Sequence, residues 1–126
     1  MASGNLWRAS SLIAVEAPPL MADEHTDLVV IGGGFTGNAA ALEAAQRGAS
    51  VVLLEAETFG HGGSGRNVGL VNAGLWLPPR DVVAQMGRQP GLRLVNLLAE
   101  APKLVWSLIE REQIDCEATP NGTMHL

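Results

Sequence analysis

Residues 27–55 constrain the fold most, because they follow the order strand, glycine turn, helix, strand. Residues 27–31 form a short apolar run rich in β-branched side chains, which is typical of a strand buried on both faces of a parallel sheet. Residues 36–47 are rich in alanine and predict a helix, and Gly48 stands at the C′ position where helices often end. Val51–Leu54 predicts a second buried strand. These patterns predict an α/β fold that begins with a βαβ unit.

The glycine turn has the spacing of a dinucleotide-binding loop, with Gly32, Gly34 and Gly37 in the pattern G-x-G-x-x-G. This spacing permits a tight turn, a close approach of the backbone to a pyrophosphate, and close packing of the next helix on the strand. The first N–H groups of that helix have no intrahelical acceptor, and its dipole favours an anion at the same end. The predicted site also includes Phe35 and Thr36, which stand between the second and third glycines of the pattern.

Glu55 ends the second strand and follows Gly37 by 18 residues. An acidic residue about 20 residues past the glycines accepts hydrogen bonds from ribose hydroxyls in dinucleotide-binding folds. A carboxylate there would repel a 2′-phosphate, which disfavours NADP. The alternative interpretation is a βαβ unit that binds no nucleotide.

A second glycine-rich loop, residues 59–69, follows the second strand. Its glycines allow close backbone approach, while Ser64, Arg66 and Asn67 supply hydroxyl, guanidinium and amide groups. Ligands bind beyond the carboxyl ends of parallel strands, which is where this loop begins. We therefore predict a ligand-contacting loop, with a flexible surface loop as the alternative.

The sequence pattern of the second half of the chain predicts helices. Residues 81–88 predict a short helix, and apolar positions recur at helical spacing over residues 92–112, so one face is expected to be buried. Pro102 is expected to kink or split the longer helix, and Trp106 to lie in the core. Residues 122–126 look like the start of a strand, whose exposed edge needs a partner. This ending predicts the N-terminal portion of a longer protein.

Composition excludes several classes of function. The 126 residues carry a net charge of -5, which argues against nucleic acid as the main partner. Cys116 is the single cysteine, too few for an internal disulfide or a thiolate metal site, and a reducing, cytoplasmic setting is expected. No run reaches the roughly 20 apolar residues of a membrane span. Residues 1–26 predict an arm anchored by Trp7 and Leu12, or in part a disordered tail.

Taken together, VVIGGGFTG, the Glu55 that ends VVLLE, the loop GGSGRN and the later IDCEATPNGTMHL resemble the N-terminal part of the D-amino-acid-oxidase-like FAD-dependent oxidoreductases. Within that superfamily the likeness is greatest to the gamma-glutamylputrescine oxidase type. The resemblance implies that Gly32, Gly34 and Gly37 hold the FAD pyrophosphate and that Glu55 holds the adenosine ribose. It also implies that three loop residues lie beside the flavin: Ser64, Arg66 and Asn67.

Some members of that superfamily attach FAD covalently through a histidine in this loop. Residues 64–69 contain no histidine, and His61 lies slightly earlier, so we expect FAD to be bound non-covalently.

The resemblance implies an incomplete Rossmann-like fold, with a helical insertion leading toward a missing substrate domain. We expect an N-terminal arm (1–26), an FAD-binding βαβ unit with its glycine-rich loop (27–79), and a helical segment that ends at the start of a substrate-domain strand (80–126). The implied activity is oxidation of a small-molecule amine or amino acid. Hydride leaves the carbon next to nitrogen for the flavin, and the resulting imine is hydrolysed. The catalytic residues would lie largely beyond Leu126, so none is assigned.

Two other hypotheses fit the same residues. An NAD-dependent dehydrogenase explains residues 27–55 equally well but leaves the loop at residues 60–69 without a role. A truncated product without activity, which binds an adenine nucleotide at most weakly, explains the abrupt end of the chain.

Overall fold

The computed structural model describes residues 6–11, 13 and 15–124. The chain separates into two compact units, Met1–Val68 and Gly69–Leu126. Residues 69–79 thus belong to the second unit, whereas the sequence grouped them with the cofactor-binding unit. Leu12, one predicted anchor of the N-terminal arm, lies outside the described residues.

The first unit contains the βαβ arrangement expected from the sequence. Its elements are α1 (Leu6–Ser10), β1 (Leu28–Ile31), α2 (Phe35–Gln46), β2 (Val51–Leu54) and a short 3₁₀ helix (Ser64–Arg66). The two strands pair in parallel, in register from Leu28 opposite Val51 to Ile31 opposite Leu54. Helix α2 packs against both strands. The predicted parallel pairing is confirmed.

Hydrogen bonds between Asp27 and Ser50 join the two strands at the end where both begin. The Asp27 carboxylate accepts hydrogen bonds from the backbone N–H and the hydroxyl of Ser50, at 2.9 and 2.8 Å. These bonds, the backbone one first, hold the pKa of the Asp27 carboxyl below its ordinary value. The carboxylate is therefore charged at neutral pH, and its contribution to stability is lost as the pH falls through that lowered pKa.

Strand β1 is much less buried than its composition indicates. Val29 and Ile31 are 52% and 86% exposed, whereas every residue of β2 is half-buried. The prediction that β1 is buried on both faces is wrong for this chain. The described sheet has only two strands, and α2 packs on them without a second covering layer, so apolar side chains of β1 remain in solvent.

The second unit is a helical pair, α3 (Pro79–Met86) and α4 (Arg88–Arg111). Gly87, with a φ of 83°, makes the one-residue connection between them. A Cβ at Gly91 would lie 2.6 Å from the Cα of Val83, so this glycine allows the two helices to approach closely. Val82 beside this contact is 4% exposed.

Helix α4 runs through Pro102 without being split, so of the two predicted outcomes, a kink or a split, the split does not occur. On the face predicted to be buried, Val105 is 37% exposed and the other positions are half-buried: Leu94, Leu98, Ala101 and Leu108. Trp106, which was predicted to lie in the core, is only half-buried. Residues 122–124 have no strand pairing, and residues 125 and 126 of the predicted strand lie outside the described part of the chain.

Candidate functional site

The glycine turn after β1 is shaped for close approach of the backbone. Gly32 has a φ of 103°, in the left-handed region that favours glycine. A Cβ at Gly37 would overlap the carbonyl oxygen of Gly32, and a Cβ at Gly34 would lie 2.8 Å from the Ser64 hydroxyl. Each glycine of the G-x-G-x-x-G pattern is thus required by a particular contact or backbone angle.

Helix α2 begins at this turn with Gly34 as its N-cap, which has no side chain to accept bonds from the helix N–H groups. The Ser64 hydroxyl instead accepts a hydrogen bond from the Phe35 N–H at 3.0 Å. Asn38, in the first turn of α2, donates from its amide to the carbonyls of Gly33 and Gly34, both at 2.9 Å. These contacts fix the turn against the helix that it precedes.

Glu55 lies at the carboxyl end of β2 and reaches the same turn. One carboxylate oxygen accepts a hydrogen bond from the Gly33 N–H at 2.7 Å, and the other accepts one from the Glu57 N–H at 3.0 Å. These bonds, with that from Gly33 the larger cause, hold the pKa of the Glu55 carboxyl below its ordinary value. A carboxylate offers about four acceptor positions, so it keeps capacity for ribose hydroxyls.

The second glycine-rich loop lies beside the first one. The Gly60 N–H donates to the Gly33 carbonyl at 2.9 Å, in addition to the contact between Ser64 and Phe35. Gly65 packs on Gly60, where a Cβ would overlap the Gly60 carbonyl oxygen. The alternative of an independent flexible surface loop is therefore not supported, since two hydrogen bonds join this loop to the glycine turn.

The structure brings most of the predicted site residues together. The hydrogen bonds described above link Glu55 to the glycine turn and Ser64 to Phe35. Thr36 is exposed in the first turn of α2, and Arg66 and Asn67 are exposed at the end of the 3₁₀ helix. The structure gives these three side chains no contact that tests their predicted role.

Three further residues take part that were not predicted for the site: Gly33, Asn38 and Trp7, of which Trp7 was expected only as an anchor of the N-terminal arm. Gly33 contributes its N–H to Glu55, and Trp7 donates its indole N–H to the Asn67 carbonyl at 2.6 Å. A polar residue directly after the last glycine of the motif was the signal that could have identified Asn38. The partner of Trp7 lies 60 residues away and left no signal in the sequence.

The residues present fit an FAD diphosphate and adenosine. The cradle has no room for side chains at Gly34 and Gly37, the N-cap residue carries no side chain of its own, and a charged carboxylate lies at the end of the adjacent strand. Among the described residues no group of His, Cys, Asp or Glu side chains could hold a metal ion. None of the described helices is long and apolar enough to cross a membrane.

The second unit has an apolar groove of about 330 Å³. It is lined by residues of the segment before α3 and by both helices, among them Leu75, Leu77, Val82, Leu94 and Leu98. Its lining contains no ionisable side chain, so the groove offers no group for acid, base or anion chemistry.

Comparison with known proteins identifies the family. The profile of the family described as FAD dependent oxidoreductase matches residues 27–126. A probable oxidoreductase, OrdL, of Haemophilus influenzae is 37% identical over 100 residues, which are 79% of this chain and 23% of that protein. The gamma-glutamylputrescine oxidoreductase of Escherichia coli is 40% identical over 98 residues, 76% of this chain and 22% of the relative.

A third relative has a different activity. The aerobic glycerol-3-phosphate dehydrogenase of Staphylococcus saprophyticus is 42% identical over 77 residues, 59% of this chain and 14% of the relative. The chain thus spans about a quarter, or less, of the length of these relatives. No solved structure matches significantly.

The family match covers both glycine-rich loops and decides between the cofactors that the sequence left open, since members of this family bind FAD. Residues 27–126, with their two-stranded parallel sheet and helices, are consistent with part of an FAD-binding domain. The chain belongs to the FAD-dependent oxidoreductase family.

Proposed function

We propose that these residues hold the adenosine, the pyrophosphate and one edge of the flavin in an FAD-dependent oxidoreductase that oxidises an amine or an amino acid. The observation that carries the proposal is the joining of the two glycine-rich loops, where Ser64 accepts a hydrogen bond from Phe35 and Gly33 accepts one from Gly60. The two loops thereby form one continuous surface along which an extended cofactor can lie.

The proposed contacts follow the chemistry of each group. Apart from the N–H groups of Gly33 and Phe35, which donate to Glu55 and Ser64, the backbone of the glycine turn and the first N–H groups of α2 face the diphosphate, whose charge the helix dipole favours. The Glu55 carboxylate accepts bonds from the ribose hydroxyls. Ser64, Arg66 and Asn67 lie beside the flavin end, where the guanidinium supplies the positive charge. The fold is Rossmann-like, with a right-handed crossover through α2.

When bound, FAD would supply the redox chemistry as the acceptor of the hydride that leaves the substrate carbon next to nitrogen, and water would hydrolyse the resulting imine. The residues of this chain bind and orient the cofactor. The support for an amine substrate is the 40% identity to a gamma-glutamylputrescine oxidoreductase. The similarity to a glycerol-3-phosphate dehydrogenase favours a second candidate, oxidation of a carbon that carries a hydroxyl group.

The test uses the full-length product of the gene, reconstituted with FAD and kept free of oxygen. Gamma-glutamylputrescine, simple amines, amino acids and glycerol-3-phosphate are added separately, and the flavin absorbance is followed. We expect bleaching with an amine or an amino acid. Bleaching with glycerol-3-phosphate alone would reject the substrate class while keeping FAD, and a protein that takes up no FAD would reject the proposal entirely.

A further inference from the structure

Helix α1 precedes the region that matches the family profile, which begins at Asp27. It nevertheless contacts the 3₁₀ helix of the second glycine-rich loop. Next to this contact, the indole N–H of Trp7 donates to the carbonyl of Asn67, the residue directly after the 3₁₀ helix, at 2.6 Å. Within α1, the Trp7 carbonyl accepts bonds from the Ser11 N–H at 2.9 Å and the Ser10 hydroxyl at 3.3 Å, which close the short helix around this residue.

The Asn67 carbonyl, which Trp7 contacts, lies at the C-terminal end of the hydrogen-bonded part of the loop. The loop is held by bonds from Gly65 N–H to the Gly60 carbonyl and from Arg66 N–H to the Gly63 carbonyl. Asn67 then turns to extended backbone, with φ of -68° and ψ of 151°. Carbonyls at a helix end lack intrahelical donors, and an indole N–H, which only donates, satisfies one of them.

A series of bonds continues from this carbonyl into the cofactor site. Asn67 follows the 3₁₀ helix directly, and Ser64 at the other end of that helix accepts the bond from the Phe35 N–H at the start of α2. The 3₁₀ helix is thus held at one end by the glycine turn and at the other by Trp7. Arg66, whose side chain is assigned to the flavin, lies between the two attachments.

We propose that Trp7 is a positioning residue for FAD, acting through the Asn67 carbonyl to hold the second glycine-rich loop in its binding conformation. The inference rests on the proposed function, because it needs that loop to contact the flavin. In this proposal Trp7 acts on FAD indirectly, through its bond to the Asn67 carbonyl. Its removal should leave the sheet and α2 intact while loosening the loop.

The test compares Trp7→Phe, which keeps an aromatic ring but removes the N–H, with Trp106→Phe, the same substitution on α4 in the other unit. Amide hydrogen exchange is measured in the apoprotein, and the Kd for FAD is measured by titration of the full-length product. Loss of one hydrogen bond predicts exchange over residues 60–67 that is about threefold to tenfold faster, and a Kd raised by a similar factor. Exchange in α2 and β2 should be unchanged, which shows that the variant folds.

Deletion of residues 1–10 provides a second variant and should reproduce the effect on the loop. Unchanged exchange over residues 60–67 in both variants would overturn the inference, as would a loosened loop with an unchanged Kd for FAD. An equal effect of Trp106→Phe on the loop would also overturn it. Failure of the proposed function is seen separately, in a wild-type protein that binds no FAD.

Discussion

Glu55, a residue of the proposed site, is held in place by backbone N–H groups. Its two carboxylate oxygens are held by the N–H groups of Gly33 and Glu57, one from the glycine turn and one from the chain just after β2. Because hydrogen bonds to the charged form lower the pKa of this carboxyl, it is ionised at neutral pH. A charged acceptor forms stronger hydrogen bonds to ribose hydroxyls than a neutral one.

We therefore expect Glu55→Gln to weaken the binding of ADP, which carries the same adenosine and diphosphate as FAD. The amide loses charge-assisted hydrogen bonds that contribute about 1.5 to 3 kcal/mol, so the Kd should rise about tenfold or more. Calorimetric titration measures the change. The matched control is Glu57→Gln, since the Glu57 side chain is exposed and only its backbone N–H takes part. Equal affinities in Glu55→Gln and wild type would contradict the assignment.

Gly37 gives a prediction about stability at the same scale. A methyl group there would overlap the Gly32 carbonyl oxygen and lie 3.3 Å from a Val30 methyl, so Gly37→Ala must push α2 away from the turn. We expect a loss of about 1–3 kcal/mol in the free energy of unfolding, seen as a lower urea midpoint. Gly62→Ala is the control, because a Cβ there meets nothing within 4 Å, and it should stay within about 0.5 kcal/mol. Similar midpoints for both variants would show that the turn relaxes freely.

Spacing along the chain was enough to predict the glycine turn and Glu55, because the geometry of a βαβ unit links them locally. It was not enough to predict the bond from Gly33 to Glu55 or that from Trp7 to Asn67. These contacts join groups 22 and 60 residues apart, and their partners are set by tertiary packing rather than by any local pattern.

At the scale of elements, α4 shows that tertiary packing can outweigh the unfavourable helix propensity of a proline. A proline in a helix interior removes one hydrogen bond and crowds the preceding turn, yet α4 continues through Pro102 from Arg88 to Arg111. Its packing against α3, through the close contact at Gly91, stabilises the helix on the N-terminal side of that proline. Pro102 therefore lowers the stability of the helix, and replacing this proline should remove that cost.

Pro102→Ala is expected to raise the free energy of unfolding of the second unit by about 1–3 kcal/mol. The urea midpoint followed by far-ultraviolet circular dichroism checks this. Pro90→Ala in the same helix is the control: Pro90 lies in the first turn, where an N–H has no intrahelical acceptor, so the effect should be about 0.5 kcal/mol or less. A destabilised Pro102→Ala protein would mean that the half-buried ring contributes more by packing than it costs the helix.

The sequence predicted the helices and strands better than it predicted how far each of them is buried. The βαβ order and both C-terminal helices were expected, with helix boundaries shifted by up to four residues. The burial of β1 was predicted wrongly, because an apolar run shows what a strand can bury and not which layers cover it. Ile31, 86% exposed, is the residue where this distinction is plainest.

At the scale of the whole molecule, the stability of the chain depends mainly on how much of its apolar surface is buried and how much is exposed. Among the described residues, Val82 is the apolar side chain that falls in the buried class, while Ile31, Trp76 and Met124 are each more than four-fifths exposed. Burial of apolar area is the main favourable term in folding, so these two units have little to offset their conformational entropy.

We expect the 126-residue chain, expressed alone, to aggregate readily and to hold much less than one FAD per chain. The exposed apolar side chains of β1 favour association, and candidate contacts exist only for the adenosine, the pyrophosphate and one flavin edge. Light scattering and the flavin absorbance retained after gel filtration provide the measurement. A soluble, yellow chain that carries one FAD and oxidises an amine would contradict this expectation and exclude the inactive-product hypothesis.

The bonds that join the two glycine-rich loops have a thermodynamic consequence. Since the Gly33 carbonyl and the Phe35 N–H are both bonded to the second loop, a ligand that orders one loop also reduces the entropy cost of ordering the other. The two halves of the dinucleotide then act as cooperative ligands. AMP should increase the affinity for flavin mononucleotide, and by reciprocity flavin mononucleotide should increase the affinity for AMP by the same factor.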